Sequence, residues 1–423
     1  MESRLNEQRK GQQYSRYVSF VVIASVLFVF ISKYRLFAFR YSVLLYLSAI
    51  CLVPIVFFFV KAIRTVRIRL PHLCYFLFTI ALIGNSFSGS ANRTDSLFFA
   101  INKLLLFFLF YYLSSTCNWQ TTFCKYVDIL AKILVVSVLI ELLFPNVISN
   151  INAVIMNLND YSTYKRLYSM GYHLGFSVQA SYLAFNVSIL LSILIGRIMA
   201  KKSQRTDLVW LLACVLVVIL SGKRAEFVGV VISVALVIVL MVFGGNVTQR
   251  RKIGIIFMCV VISGITVYLL FYTSYGTLLF EKGLTFSYDN TRTFLLNEGL
   301  NLWRRSPITG NGTNYFSQNY ELSTHNTYLQ LLCDNGIIGL VLFLGFVLPN
   351  IIKTITLFLK IGTNDSKSSI VIASICFQVF FLISAYFESM FSNDVMWIVY
   401  LIMSAVTYSV TEESGLASRE SIR

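Results

Sequence analysis

Residues 208–243 read "LVWLLACVLVVILSGKRAEFVGVVISVALVIVLMVF". Two runs of leucine, valine and isoleucine flank a short turn that carries Lys223, Arg224 and Glu226. The second run approaches the roughly 20 apolar residues that a membrane-crossing helix needs, and the first is shorter but apolar throughout. A backbone inside hydrocarbon must satisfy its own polar groups, so each run reads as an α-helix and the stretch as a helical hairpin with its polar turn at one membrane surface.

The rest of the chain repeats that pattern. Hydrophobic residues make up 57% of the 423, aromatics 15% and charged residues 13%, with a mean hydropathy of +0.73. No soluble globular domain has that balance. Apolar runs near 17–32, 41–60, 72–88, 96–115, 126–144, 176–199, 207–221, 225–243, 253–273, 326–352, 369–388 and 394–410 predict about twelve spans. The fold class is therefore all-α and polytopic, one integral membrane domain over 1–423. The first run follows a basic start (Arg4, Arg9, Lys10, Arg16) and leads straight into further spans without a small-residue cleavage site, so it reads as a retained helix.

Basic short loops mark the cytoplasmic side. The most basic segments, "KAIRTVRIRL" (61–70), "RIMAKKSQR" (197–205) and "TQRRK" (248–252), fall on one side together with both termini. Only "SKYRLFAFR" (32–40) runs against the trend. This orientation turns the 220–224 turn, a loop over 145–175 and a longer loop over 274–325, between the ninth and tenth spans, to the outside. Part of the net charge of +16 is the orientation signal and contact with anionic membrane lipids, and no nucleic-acid partner is expected. Outward-facing arginines and lysines need another cause.

The eight cysteines show no CxxC pair and no metal-ligand spacing, so they read as small hydrophobes, and neither a disulfide nor a metal site is expected. Phosphate-loop and dinucleotide fingerprints are absent, so no cofactor is expected and ATP does not drive the chemistry on this chain.

Polar residues gather in the outward loops. Within the second, residues 290–306 read as an amphipathic helix, capped by Asp289 or Asn290, apolar along Leu295, Leu296, Leu300, Leu302 and Trp303, and ended by Pro307. Such a helix lies on the outer membrane face or caps the bundle. At the 220–229 turn, Lys223 and Arg224 suit an anionic head group, because arginine's fork of donors matches phosphate oxygens. His325, one of three histidines, stands where Ser323 or Thr324 would cap the following helix. That puts it in the first turn, where the helix dipole favours a neutral imidazole able to act as a base. Asn326 beside it would position a sugar hydroxyl, Asp334 reads as structural, and Gly336 and Gly339 as allowing close helix packing. His173 in the first loop would contact substrate. His72 reads as a surface residue at the cytoplasmic boundary, Lys103 and Lys132 as lysines snorkelling from within their spans, and Glu388 and Asp394 carry no assigned role.

In order and spacing, "SGKRAEFVG" (221–229), "TRTFLLNEGLNLWRRSPITGNG" (291–312) and "HNTYLQLLCDNGIIGLVLFL" (325–344) resemble the O-antigen ligase and polymerase superfamily of bacterial membrane glycosyltransferases. In that pattern an arginine opens a span, as Arg224 does. A second heads the loop helix, matched by Arg292, and a Gly-x-Gly follows, matched by Gly310 and Gly312. A His-Asn with a downstream acid and paired glycines closes it, matched by His325, Asn326, Asp334, Gly336 and Gly339. Lys223 stands where the pattern has serine, and Arg166 resembles the family's loop arginine. The motif region covers about 220–345, and the rest matches only in hydropathy.

The resemblance implies a GT-C-like bundle in the cytoplasmic (inner) membrane, with its active site facing the periplasm or cell exterior. It implies metal-independent transfer of a glycan from an undecaprenyl-pyrophosphate carrier to an acceptor sugar hydroxyl. His325 is then the catalytic base, Lys223, Arg224, Arg292 and Arg166 bind the pyrophosphate, and Asn326 and His173 position substrate. Expected partners are the lipid-linked oligosaccharide, the acceptor glycan, membrane lipids and, as a further candidate, a chain-length regulator. Aromatic outward loops (Tyr161, Tyr164, Tyr168, Tyr172, Tyr315, Tyr320) favour polymerisation of repeat units over ligation to lipid A-core. The rival from another class is a flippase for the same lipid-linked sugars, but the apolar midplane and the absence of repeated halves speak against transport.

Overall fold

A computed structural model describes residues 2–32, 34–35, 42–62, 68–89, 92–243 and 290–414. Among these residues all regular structure is helical: α1 (Glu2–Ile31), α2 (Ser42–Ala62), α3 (Leu70–Asn85), α4 (Arg93–Ser114), α5 (Gln120–Leu143), α6 (Pro145–Ile155), α7 (Leu158–Ser169), α8 (Ala180–Met199), α9 (Asp207–Leu220), α10 (Arg224–Phe243), α11 (Asn290–Arg305), α12 (Tyr315–Tyr320), α13 (Thr327–Ile361), α14 (Ser368–Phe387) and α15 (Asp394–Glu413), with a 3₁₀ turn at Met390–Ser392. The predicted span at 253–273, the first part of the 274–325 loop and Asp289, one of the two caps offered for its helix, lie outside the described residues, while Asn290, the other, is the first residue of α11.

The other predicted spans all fall on helices. Seven, in α2, α4, α8, α10, α13, α14 and α15, are long and apolar enough to cross a membrane, and Arg16–Ile31, α3 and α9 are shorter apolar helices. α5 is apolar but interrupted by Lys125, Asp128, Lys132 and Glu141. Among the described residues seven helices are thus candidate spans by length and composition, fewer than the twelve expected.

Charges sort to the two ends of the bundle. At one end Arg69 pairs with Glu412 at 2.5 Å, Lys367 with Glu413, and Arg197 with Asp128 at 2.9 Å. At the other lie the carboxyl end of α3, the amino ends of α4, α13 and α15, and all of α6, α7, α11 and α12. Asparagine caps four helices there: Asn92, Asn157, Asn326 and Asn393 each accept a backbone N–H from the first turn. Between the ends, α14 lies at the centre and is approached closely where side chains are smallest. A Cβ on Gly196 of α8 would sit 2.2 Å from the Ser369 carbonyl oxygen. Some buried polar side chains pair across helices: Gln378 donates to Thr354 at 2.9 Å and Tyr408 to Asn350 at 2.5 Å.

Two expectations about these helices are corrected. His72 is not a surface residue. It is 3% exposed and stacked on Phe110, with ring centroids 4.9 Å apart, because it stands on the face of α3 turned to α4 and α15. Lys103 does not snorkel. It is fully buried, and its Nζ donates to the Phe391 carbonyl and to Asp394 Oδ1, both at 2.7 Å. Hydropathy counts residues in a run but does not say which face meets lipid, and this lysine faces α15, where an ion partner replaces water.

The "GNG" and "DNG" motifs form one joint. α13 is broken at Gly336, whose φ of 63° suits glycine alone. The break strands carbonyls on one side and N–H groups on the other. The 307–312 loop takes up both. The N–H groups of Asn311 and Gly312 donate to the carbonyls of Cys333 and Asp334 at 3.1 and 3.0 Å, and those of Ile337 and Ile338 donate to the carbonyls of Pro307 and Ile308 at 2.9 and 3.2 Å. A Cβ on Gly310 would lie 2.4 Å from the Asn335 nitrogen. The Gly-x-Gly is thus a splint for a broken helix, which holds the first turns of α13 at the angle that presents His325. Buried Leu295 and Leu302 of α11 pack with Phe316 and Cys333, so α11 caps the bundle over α13.

Candidate active site

Three motif-bearing segments meet at the polar end. After α9, Ser221 Oγ turns back to the Val218 carbonyl at 2.6 Å, and Gly222, at φ 69°, carries the chain under the ring of Tyr172, 2.1 Å from where a Cβ would stand. Lys223 follows, and its Nζ donates to Glu388 Oε1 at 2.9 Å. Glu388 ends α14 in extended backbone, and its carbonyl accepts from Thr327 Oγ1 at 2.8 Å. That bond ties the start of α13 to the end of α14. It also brings His325 Nδ1 to 3.3 Å from Glu388 Oε2.

The local structure around His325 differs from expectation. Asn326, not Ser323 or Thr324, caps α13, with Oδ1 accepting the Leu329 N–H at 3.0 Å. Thr324 Oγ1 instead donates to the Asn326 carbonyl at 2.8 Å. His325 therefore stands one residue before the cap, with φ at 51°, a left-handed conformation that non-glycine residues rarely hold and that recurs at functional sites. A carboxylate, rather than the first turn of the helix, faces its ring.

Glu388 is a sheltered anion. Burial pushes its pKa up, but the His325 hydrogen bond and the Lys223 ammonium outweigh that and hold it at about 2. An ionised carboxylate has no proton to give, so the Nδ1 that faces it must donate, and whenever the imidazole is neutral the lone pair is on Nε2. The His325 side chain is 35% exposed and that of Glu388 16%: the imidazole is reachable and the carboxylate behind it much less so.

This pairing has a pH signature. The pKa of Glu388 in the folded protein lies below the ordinary 4.5, so the stabilisation is complete above that ordinary value and disappears as pH falls toward the folded value. At pH 7, Glu388→Gln should melt a few degrees below wild type. The gap should close as pH drops from about 5 toward 2. A gap that stays constant down to pH 3, read by thermal melting in detergent, contradicts the ion-pair account.

Arg224 opens α10 and Arg292 lies in the first turn of α11, both exposed. The charges of Lys223, Glu388 and Arg292 all act on Glu226, two residues into α10. Glu226 is fully buried, and neither carboxylate oxygen has a hydrogen-bond partner among the described residues. Arg292 is thus within electrostatic reach of the amino end of α10, which Arg224 opens. The first loop reaches the same place: the His173 N–H donates to the Leu220 carbonyl at 3.2 Å. Its imidazole, however, stands 3.7 Å from Glu141. Glu141 also accepts from Tyr164 Oη at 2.6 Å and from the N–H groups of Leu174 and Gly175 at 2.8 and 3.0 Å, so His173 belongs to the loop's anchor. Arg166 stands exposed on α7, and among the described residues no contact joins it to the His325 cluster. Asn326 Oδ1 is spent on the cap, which leaves its Nδ2 to face a ligand.

The arrangement can accept a proton at His325 Nε2 and meet negative charge at Arg224 and Arg292. Residues 208–344 match the O-antigen ligase family. The match runs from α9 into α13 and includes Lys223, Arg224, Arg292 and His325, while Glu388 lies beyond it. It bears out the resemblance to the O-antigen ligase and polymerase superfamily. No curated protein matches the chain.

Proposed function

We propose that the protein transfers a glycan from a polyprenyl-pyrophosphate carrier to the hydroxyl of an acceptor sugar, and that the product is a lengthened lipid-linked chain. The observation that carries this reading is the Glu388 carboxylate set between Lys223 and His325, beside Arg224 at the head of α10. His325 Nε2 removes the proton of the acceptor hydroxyl as its oxygen attacks the anomeric carbon. The bond from that carbon to the phosphate oxygen breaks, and the extra negative charge on the departing pyrophosphate is met by Arg224 and Arg292. Guanidinium groups do here what a metal does for nucleotide-sugar donors, so transfer should be indifferent to EDTA. Lys223, engaged with Glu388, orients the base.

The choice of polymerase over ligase rests on the first outward loop, where Tyr161 and Tyr168 flank the buried Tyr164 at centroid spacings of 6.1 and 6.3 Å along α7 and keep ring surface that a sugar can meet. The site faces the exterior of the cytoplasmic membrane in this reading, since the basic residues Arg69, Arg197 and Lys202 lie at the opposite end. Proteoliposomes given lipid-linked oligosaccharide test it. Lengthened lipid-linked chains are the expected product. Transfer only after lipid A-core is added points to a ligase, and movement across the bilayer without change in length points to a flippase.

A further inference from the structure

A cavity of about 330 Å³ opens beside the His325–Glu388 pair. It is bounded by α1 and α2 on one side and by the turn that joins α14 to α15 on the other. Ser323, two residues before His325, and Ser389, next to Glu388, form its near wall, and Tyr182, Asn393 and Asp394 its floor. Ser32 lies across from them, with Phe28 and Val43 as an apolar flank.

We propose that this cavity is the acceptor subsite, and that it binds the terminal sugar of the glycan whose hydroxyl is deprotonated. The proposal rests on the transfer reading above. Three observations single out a neutral sugar. First, among the described residues lining it the one charge is the Asp394 carboxylate, which repels a pyrophosphate and accepts sugar hydroxyls. The arginines proposed for the donor are not among those lining residues. Second, Asp394 is held in place from behind by the fully buried Lys103 at 2.7 Å and by Asn102 Nδ2 at 3.1 Å. Its carboxylate is 15% exposed. A buried ammonium that fixes a carboxylate at a cavity wall preorganises an acceptor for hydroxyl donors. Third, Ser32 and Ser389 line the cavity and their Oγ atoms have no hydrogen-bond partner among the described residues, so a rotation about Cα–Cβ that turns either hydroxyl to a ligand costs no existing bond there and gains one that it can donate or accept. The volume lies at the lower end of the roughly 300–1,000 Å³ of small-molecule sites, which suits sugar rings rather than a polyprenyl chain. The cavity's position does the rest: a ring held there has beside it Ser323 and Ser389, which stand two residues and one residue in sequence from His325 and Glu388.

Filling the cavity from walls that touch none of the proposed catalytic groups tests this. Ser32→Phe acts from the end of α1 and Val43→Phe from α2, so failure of one variant to fold leaves the other. Two probes separate the sites: the repeat-unit oligosaccharide freed from the producing cells' lipid-linked pool by mild acid, without lipid or phosphate, and undecaprenyl pyrophosphate without glycan. Both filled variants should bind the oligosaccharide at least ~10-fold more weakly and the pyrophosphate carrier within ~2-fold of wild type, while Arg224→Ala shows the reverse. The assignment is overturned if wild type does not bind the oligosaccharide, if the filled variants bind it unchanged, or if they lose the carrier instead. A wild-type protein that binds the oligosaccharide but not the carrier overturns the donor reading and leaves the sugar site standing.

Discussion

His325→Ala should lower glycan transfer by ~10²–10⁴-fold while binding of the lipid-linked donor survives, the range expected for loss of a general base. Two conservative variants separate chemistry from backbone strain. Asparagine tolerates the left-handed conformation that His325 holds at φ 51°, so His325→Asn should fold and insert as wild type does yet remain as inactive as the alanine variant. His325→Gln keeps size and hydrogen bonding but offers no basic nitrogen and should be equally inactive. A residue whose only task were to pack would give the opposite order, with the glutamine variant nearly active and the alanine variant losing stability and activity together. Glu388→Gln is the companion change. An amide can present its NH₂ to His325 Nδ1 and stabilise the wrong tautomer, so kcat should fall while donor affinity holds.

Arg224→Ala and Arg292→Ala should each cut transfer by ~10²-fold or more, the effect of removing a preorganised donor from developing charge. Here donor binding weakens as well, because the same guanidinium groups meet the ground-state pyrophosphate. That difference in donor affinity distinguishes the arginines from His325. Arg→Lys should rescue poorly, since a point charge replaces a two-pronged donor. Both side chains are exposed, so folding should be unaffected, and substitution costs at surface positions are normally small. Normal turnover by both alanine variants at wild-type expression would reduce these charges to interfacial anchors.

Much of this site is legible in the sequence, and the missing parts share a cause. Apolar run lengths locate the helices, and the outward turn "SGKR", the loop helix and the "HN" before α13 mark the polar end, because charges at a membrane surface stand out against a 57% hydrophobic background. Glu388 is not legible in this way. It lies 63 residues beyond His325, past the whole of α13 and α14 and outside the 208–344 match. It becomes the partner of His325 only because Thr327 ties the start of α13 to the Glu388 carbonyl at the end of α14. Lys103 and His72 fail for a related reason: periodicity finds a helix but does not say which face meets lipid. The joint between Gly310 and Gly336 combines both difficulties, since each motif reads as a local turn and their complementarity exists only in three dimensions. The cap is a smaller lesson. Ser323, Thr324 and Asn326 are all good cap residues, and choosing among them moved His325 from inside the helix to outside it.

The most direct measurement is a single-turnover experiment with purified protein in excess over radiolabelled lipid-linked oligosaccharide, following glycan length and release of undecaprenyl pyrophosphate together. Wild type should release the carrier in step with appearance of a lengthened chain. His325→Asn should bind the donor equally well and release nothing. Carrier release and chain growth at the wild-type rate by a correctly folded His325→Asn protein would contradict the assignment of His325 as the base.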